Sequence, residues 1–135
     1  MNKQDVQAVV ERGFGYLNAA DVKRFYELYS EDLKNPSLAN LGLPTDIEGF
    51  QAFVGGFFSG FSEPRFTPQV VVCDDDVAMF RWVFRGRHTG EWNGIAPTGR
   101  AVEVAAFTTF RMGPSGRIVE QHDLADLPTL MKQLA

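Results

Sequence analysis

The chain has 135 residues, of which 44% are hydrophobic and 22% charged, and its formal net charge is −4. This length and hydrophobic content predict a single domain, residues 1–135, with a core of its own. Because the balance is acidic and no run of Lys or Arg exceeds two residues, the positive surface that nucleic acids and anionic membranes require is missing. We therefore expect no nucleic acid and no membrane among the partners.

Targeting and metal-binding signals are weak. The N-terminus interrupts its apolar residues with charge, and no apolar run is long enough for a membrane span, so we expect a soluble, cytoplasmic protein. Cys73 is the only cysteine, and the two histidines lack a spacing typical of metal ligands, so we expect no metal. Twelve phenylalanines, with two tryptophans and three tyrosines, indicate either an aromatic-lined cavity or a bulky core.

Two helices are predicted first. Apolar residues recur at helical spacing over residues 6–17, after a capping residue at Asn2 or Asp5. Asp21 then caps a second, short helix that is expected to end near Ser30.

The next segment loses its period and then becomes helical again. Glu31–Pro44 is predicted to be a loop, with the option of a short strand at its start. Thr45 and Glu48 have the spacing of a capping box for a third helix, Ile47 to about Phe61. The Gly55-Gly56 pair inside this helix predicts close packing against a sheet.

After Pro64 the apolar period changes from about 3.6 to 2, which is typical of strands. Four strands are predicted: Phe66–Cys73, Val77–Thr89, Arg100–Met112 and Arg117–Leu124. Asp126 is expected to cap a short C-terminal helix. The order predicts an α+β domain, with helices packed on one face of a strongly curved antiparallel sheet.

Strand alternation assigns side chains to faces. In the second strand Phe80, Trp82, Phe84, Gly86 and His88 share one face, and Arg81, Val83, Arg85 and Arg87 share the other. The third strand groups Val102, Val104, Ala106, Thr108 and Phe110. The small residues Ala106 and Thr108 are expected to leave a gap in this apolar face. His88, at the end of the face, is therefore a candidate site residue.

Several motifs together resemble the SnoaL-like polyketide cyclase family, of the nuclear transport factor 2-like superfamily. They are His88-Thr-Gly-Glu-Trp-Asn-Gly-Ile-Ala-Pro-Thr-Gly99, Phe110-Arg111, Gly116-Arg-Ile-Val-Glu120, and Asp126 with Met131-Lys-Gln-Leu134. The helix start Asp46-Ile-Glu-Gly-Phe50 also fits, so the similarity covers nearly the whole chain.

The resemblance implies a cone-shaped α+β domain with a deep pocket between the sheet and the helices. It also implies cofactor-free chemistry, in which a base removes an acidic proton from a polyketide ester and an intramolecular aldol closure follows. The family's pocket aspartate matches Asp123, whose pKa an aromatic cavity would raise. Asp126 is the competing carboxylate, but it is better explained as a helix cap.

Two departures from the family pattern concern the histidines. Family members commonly have Glu-His-Trp where this chain has Glu120-Gln121-His122, and the studied cyclases carry a histidine close to where Thr108 falls here. Either His88 or His122 is therefore expected to assist Asp123, or the reaction differs. Because Gln121 and Asp123 share one face of their strand, His122 reaches the pocket only if the strand bulges.

The expected function is aldol cyclisation or isomerisation of an apolar, carbonyl-bearing ligand. The expected substrate-binding residues are Tyr16, Tyr29, Trp82, Phe84, Trp92, Val104 and Thr108. The loop after His88 is predicted to form the pocket rim, with an Asn93-Gly94 turn inside it. Two alternatives stay open: a non-catalytic protein that binds a hydrophobic metabolite, and an epoxide hydrolase, which would need an Asp-Arg-Asp cluster. The arginine-bearing face of the sheet is expected to form a homodimer.

Overall fold

The computed structural model describes all 135 residues. It contains four α-helices, one 3-10 helix and five strands. In chain order these are α1 (Lys3–Asn18), α2 (Val22–Glu27), β1 (Tyr29–Lys34), the 3-10 helix (Pro36–Leu41), α3 (Ile47–Gly60), β2 (Phe61–Cys73), β3 (Val77–His88), β4 (Ala101–Met112), β5 (Ile118–Ala125) and α4 (Leu127–Leu134).

The strands form one curled, unclosed sheet in the order β1-β5-β4-β3-β2. The four predicted strands form the expected antiparallel meander, β2 to β5. Irregular pairing between Ser62 and Arg65, and between Pro68 and Val70, interrupts the ladder of β2 with β3, and such bulges bend a strand. The predicted α+β fold, with helices on a strongly curved sheet, is confirmed.

The optional short strand at the start of Glu31–Pro44 is present, but it begins earlier than predicted. The second helix ends at Glu27 rather than near Ser30, and β1 follows, running parallel to β5. Tyr29 and Leu33 lie in the core, and the amide of Ile118 donates to the carbonyl of Leu28 at 2.9 Å. Burial and pairing with β5 therefore override the helical spacing of this segment.

The helix caps agree with the predictions at three of four helices. Asn2 and Asp5 form a reciprocal capping box at α1, and Asp21 and Asp126 cap α2 and α4. The predicted Thr45 capping box at α3 is wrong, because the cap is Asp46, whose carboxylate accepts from the amide of Gly49 at 3.0 Å. None of the helices combines the length and the apolarity that a membrane span requires.

The inner face of the sheet carries the core. The predicted inner side chains of β4, Val102, Val104, Ala106, Thr108 and Phe110, are all buried. On β3, Trp82, Phe84 and His88 are buried, and Phe80 and Gly86 are half-buried. The helices cover this concave face, and aromatic edge contacts such as Phe14 with Phe80, 5.5 Å between ring centres, join the layers.

The outer face of the sheet has no covering element over much of its area. Val70, Arg81, Phe107 and Leu124 are register partners across β2, β3, β4 and β5. The exposed apolar side chains that we call the outer patch are Val70, Val72, Met79, Phe107 and Leu124, each more than half exposed. Ion pairs lie on the same sheet, including Arg85 with Glu103 at 2.5 Å.

The glycines of α3 differ from the sequence-based explanation. A side-chain carbon added to Gly55 would have no neighbour within 4 Å, and one added to Gly56 would meet only the Trp92 indole at 3.7 Å. Neither glycine is required by contact with the sheet. Gly49 is the tightly constrained one, since an added carbon would lie 1.7 Å from the carbonyl oxygen of Pro44.

We expect Gly55→Ala to raise the free energy of unfolding by about 0.5–1 kcal/mol, because alanine lowers the entropy cost of the helix without a clash. Gly49→Ala should lower it by about 1–3 kcal/mol through overpacking against backbone. Urea unfolding of both variants measures the two effects. Equal changes in the two variants would contradict this assignment.

Candidate active site

Two adjoining compartments lie between the sheet and the helices. The inner chamber has a volume of about 60 Å³ and lies against α1, where Val9, Val10 and Phe14 line it. The outer cleft has a volume of about 310 Å³, a size typical of ligand sites. The residues that line both compartments, which we call the neck, are Phe53, Phe57, Trp82 and Asp123.

The Asp123 carboxylate is the polar centre of the neck. Its Oδ1 accepts from the Thr108 hydroxyl at 2.7 Å, and its Oδ2 accepts from Asn35 Nδ2 at 2.9 Å. The Nε2 group of Gln121 contacts both oxygens at 3.2 Å. The backbone amide of Asp123 donates to Ser37 Oγ at 2.9 Å. The four acceptor positions of the carboxylate thus meet four contacts from three neutral donors, because Gln121 contacts both oxygens.

The Thr108 hydroxyl links Trp82 to Asp123. The indole Nε1 of Trp82 donates to Thr108 Oγ1 at 2.9 Å, and an indole nitrogen can only donate. Thr108 therefore accepts from Trp82 and donates its own hydrogen to Asp123. The register of β3, β4 and β5 brings these three side chains to one face.

Two amides are oriented in the same way. The Tyr29 hydroxyl donates to Gln121 Oε1 at 2.8 Å, which turns Gln121 Nε2 toward Asp123. The hydroxyl of Ser37 donates to Asn35 Oδ1, which turns Asn35 Nδ2 toward Asp123. Each donor to the carboxylate is thus held by a second hydrogen bond, so the network is preorganised.

No Lys, Arg or His lines either compartment. Burial raises the pKa of Asp123 above its ordinary value, and the hydrogen bonds from Thr108, Asn35 and Gln121 offset part of that rise. Burial, together with the charge of Asp123, also raises the pKa of Tyr29 well above its ordinary value. The pKa of Asp123 is higher in the folded chain than in the unfolded chain. The contribution of Asp123 to the free energy of unfolding is therefore fully present below the unfolded-state pKa, and it is lost as the pH rises through the folded-state pKa.

The structure places neither candidate histidine beside Asp123. Strand β5 pairs regularly from Gln121 to Asp123, so no bulge turns His122 inward. His122 is exposed and contacts Glu120 Oε1 at 3.0 Å on the outer side. The expectation that His122 reaches the pocket is therefore corrected by strand alternation.

His88 is fully buried but lines neither compartment. Its Nδ1 accepts from the backbone amide of Thr98 at 3.2 Å and lies 3.0 Å from the Thr98 hydroxyl. Its Nε2 has no hydrogen-bond partner. His88 therefore ties the loop between β3 and β4 to the sheet and does not contact the site.

Most of the expected substrate-binding residues line a compartment. Thr108 and Tyr29 line the inner chamber, and Trp82 lines both compartments. Phe84, Trp92 and Val104 line the outer cleft. Tyr16, by contrast, lines neither, because it lies outside the inward stripe of α1 that carries Val9, Val10, Gly13 and Phe14.

The rim contains the predicted turn. Asn93 and Gly94 have φ angles of 49° and 79°, and the backbones of Trp92 and Ile95 pair across them, as in a two-residue hairpin turn. The Trp92 side chain packs on α3, where a carbon added to Gly60 would lie 2.9 Å from Trp92 Cβ. The loop between β3 and β4 therefore borders the outer cleft.

Sequence reasoning did not identify Asn35 and Ser37, which lie just before and within the 3-10 helix, in the segment predicted as loop. The available signal was an Asn-Pro-Ser turn sequence, which identifies a turn and not a contact with a strand 86 or more residues away. Gln121 was detectable, because strand alternation puts it on the face of Asp123.

The structure contains neither a cluster of metal-ligating side chains nor the Asp-Arg-Asp cluster that an epoxide hydrolase would need. No group of three or more His, Cys, Asp and Glu side chains lies close enough to hold a metal ion. An Asp-Arg-Asp cluster is absent from the compartments, because no arginine lines them.

Comparisons with known proteins agree with this architecture. No curated protein matches the chain. Among solved structures, TsrD from Streptomyces laurentii is similar, with a TM-score of 0.86 and 25% identity over 100% of this chain and 98% of that one. IdmH from Streptomyces antibioticus, a proposed polyketide cyclase, has a TM-score of 0.80 and 27% identity over 95% of this chain and 96% of its own. AclR from Streptomyces galilaeus, a proposed hydroxylase, shares the fold, with a TM-score of 0.87 and 20% identity over 98% and 96% of the two chains.

The sequence model of one family covers nearly the whole chain, residues 5–134. Together with the curled sheet, the covering helices and the half-buried aspartate between them, this match assigns the chain: it belongs to the SnoaL-like polyketide cyclase family.

Proposed function

We propose that this protein catalyses a cofactor-free proton transfer, in an aldol cyclisation or an isomerisation, on an apolar carbonyl-bearing ligand that occupies the outer cleft. Asp123 is the general acid and base. The observation that carries the proposal is a carboxylate at the neck of an apolar cavity, held only by neutral donors and with its pKa raised by burial. A carboxyl group with a raised pKa is suited to exchange protons with a bound ligand.

The proposed reaction balances without an added reagent. The ionised carboxylate of Asp123 takes a proton from the carbon next to a carbonyl group and leaves an enolate. In a cyclisation, the enolate carbon forms a bond to a second carbonyl carbon of the same molecule, and the resulting alkoxide takes the proton back from Asp123. In an isomerisation, the proton returns to a different carbon of the same molecule.

The apolar walls favour this substrate class. Most residues that line the two compartments are hydrophobic, including Phe53, Phe57 and Trp82 at the neck. Apolar side chains select size and apolarity, and the aspartate selects the reacting carbon. The likeness to IdmH, a proposed polyketide cyclase, supports a polyketide-like ligand.

A non-catalytic binding role is the second candidate, because the same compartments would hold a hydrophobic metabolite without reaction. Epoxide hydrolysis is disfavoured by the absence of arginine from the compartments. The cytoplasmic location expected from the sequence stays a prediction. The two remaining roles differ in whether carbon-bound protons exchange.

The test uses 2-tetralone, an apolar bicyclic ketone, in D₂O, and nuclear magnetic resonance follows the exchange of the protons next to its carbonyl. We expect the wild-type protein to accelerate this exchange and Asp123→Asn to lose at least about 100-fold of the acceleration, because the amide cannot act as a base. Glu120→Gln, a matched change on the outer side of the same strand, should keep the wild-type rate.

Unchanged acceleration by Asp123→Asn would exclude Asp123 as the base. Tight binding of the ketone by the wild-type protein without any acceleration would support the binding role instead.

We also propose that the outer patch mediates a homodimer. Its apolar side chains follow one another across β2 to β5, and both signs of charge lie on the same sheet. A twofold axis brings such a surface onto itself, so arginines and carboxylates of the two copies can face each other. An aromatic residue near the middle of the patch, Phe107, is expected to contribute most.

Sedimentation at micromolar concentration tests the dimer. We expect the wild-type protein and Phe107→Leu to sediment at twice 15.1 kDa, and Phe107→Arg to sediment as a monomer because it would bury an unpaired charge. A monomeric wild-type protein, or a dimeric Phe107→Arg variant, would contradict the proposal.

A further inference from the structure

The inner chamber is a mostly apolar space that proton transfer at Asp123 does not itself require. Its volume is about 60 Å³, and 16 of its 20 lining residues are hydrophobic. The polar members, Thr108, Gln121 and Asp123, belong to the network at the neck, and each already has hydrogen-bond partners. Mostly apolar walls favour an apolar group over water in such a space.

The volumes set the size of what each compartment can hold. An apolar cavity of roughly 150 Å³ binds benzene, so a space of 60 Å³ takes about two or three carbon atoms and no ring. On the same scale the outer cleft, at 310 Å³, takes about a dozen carbon atoms, or two to three fused rings. The two spaces therefore suit different parts of one molecule.

The neck fixes how such a molecule lies. Asp123 and Trp82 line both compartments, so a carbon that reacts at Asp123 has the chamber on one side and the cleft on the other. Phe53 and Phe57 also lie at this boundary, so aromatic rings border the passage from the cleft to the chamber. The substituent on the inner side of the reacting carbon is thus limited by the chamber.

We propose that the inner chamber is a subsite for a straight alkyl arm of two or three carbons next to the reacting carbonyl, while the rest of the apolar ligand lies in the outer cleft. The position of the carbonyl at Asp123 rests on the proposed function. The length of the arm rests on the chamber alone.

Gly13 of α1 is a position where one added carbon can narrow the chamber. It is buried and lines the chamber. An added side-chain carbon would lie 3.5 Å from Phe25 Cε1 and 3.7 Å from Leu28 Cδ1, which are ordinary contacts. Gly13→Ala therefore narrows the chamber without a clash and also favours the helix. Gly15, two residues later on the same helix, has no atom within 4 Å of an added carbon and lines neither compartment, so Gly15→Ala is a matched control.

The test measures dissociation constants by calorimetry for 2-naphthyl alkyl ketones with methyl, ethyl, propyl, butyl and pentyl arms. For the wild-type protein, we expect each carbon up to propyl to tighten binding about three- to fourfold, and longer arms to lose that gain. Gly13→Ala should weaken the propyl ketone at least about threefold and leave the methyl ketone unchanged. Gly15→Ala should follow the wild-type profile.

Two further variants keep the outcome decisive. Val54→Ala widens the chamber from α3, since Val54 also lines it, and should move the optimum to a longer arm. Asp123→Asn should keep the wild-type length profile even though proton exchange is lost, so failure of the catalytic proposal and failure of the subsite are distinguishable. Wild-type dissociation constants that do not change with arm length, or the same dependence on arm length in Gly13→Ala and Gly15→Ala, would overturn the proposal. The chamber would then be a packing void.

Discussion

The site depends on the need to surround the ionised carboxylate of Asp123 with hydrogen-bond donors. A carboxylate among aromatic and aliphatic walls is costly unless donors surround it, and here every donor is neutral: a hydroxyl from β4, an amide from β5 itself and an amide from the segment before the 3-10 helix. None of these donors balances the charge as an arginine would. The neutral donors therefore stabilise the ionised carboxylate, but they do not cancel the cost of its burial, so the group can still accept a proton.

The order of the sheet supplies this arrangement. Because β5 lies between β1 and β4, Tyr29 on one neighbour orients Gln121, and Thr108 on the other donates to the acid. Strand β3 then adds Trp82, which holds Thr108 and also forms a wall of the neck. The parallel strand β1 is thus part of the site's architecture as well as of the fold.

Strand alternation predicted the parts of the site that depend on period alone. It placed Gln121 and Asp123 inward and His122 outward, and the small residues Ala106 and Thr108 where the compartments lie. It did not predict Asn35, because its contact with Asp123 joins positions 88 residues apart through a turn without a repeating pattern. Strand β1 was predicted only as an optional short strand from Glu31, and its start at Tyr29 was missed, since a parallel partner distant in sequence decided the conformation over the local helical spacing. His88 lies on the face that alternation assigned, but alternation does not report depth along the strand, and the residue lies beyond the cavity.

Burial among neutral donors raises the pKa of Asp123, and the proposed proton transfer depends on this shift. Nuclear magnetic resonance titration of the side-chain carboxyl carbon in protein labelled with ¹³C aspartate measures it directly, and the spectrum of Asp123→Asn identifies the resonance. We expect a midpoint above the ordinary aspartate value of 3.8, whereas a midpoint at or below that value would show that the donors outweigh burial and that Asp123 is a structural carboxylate.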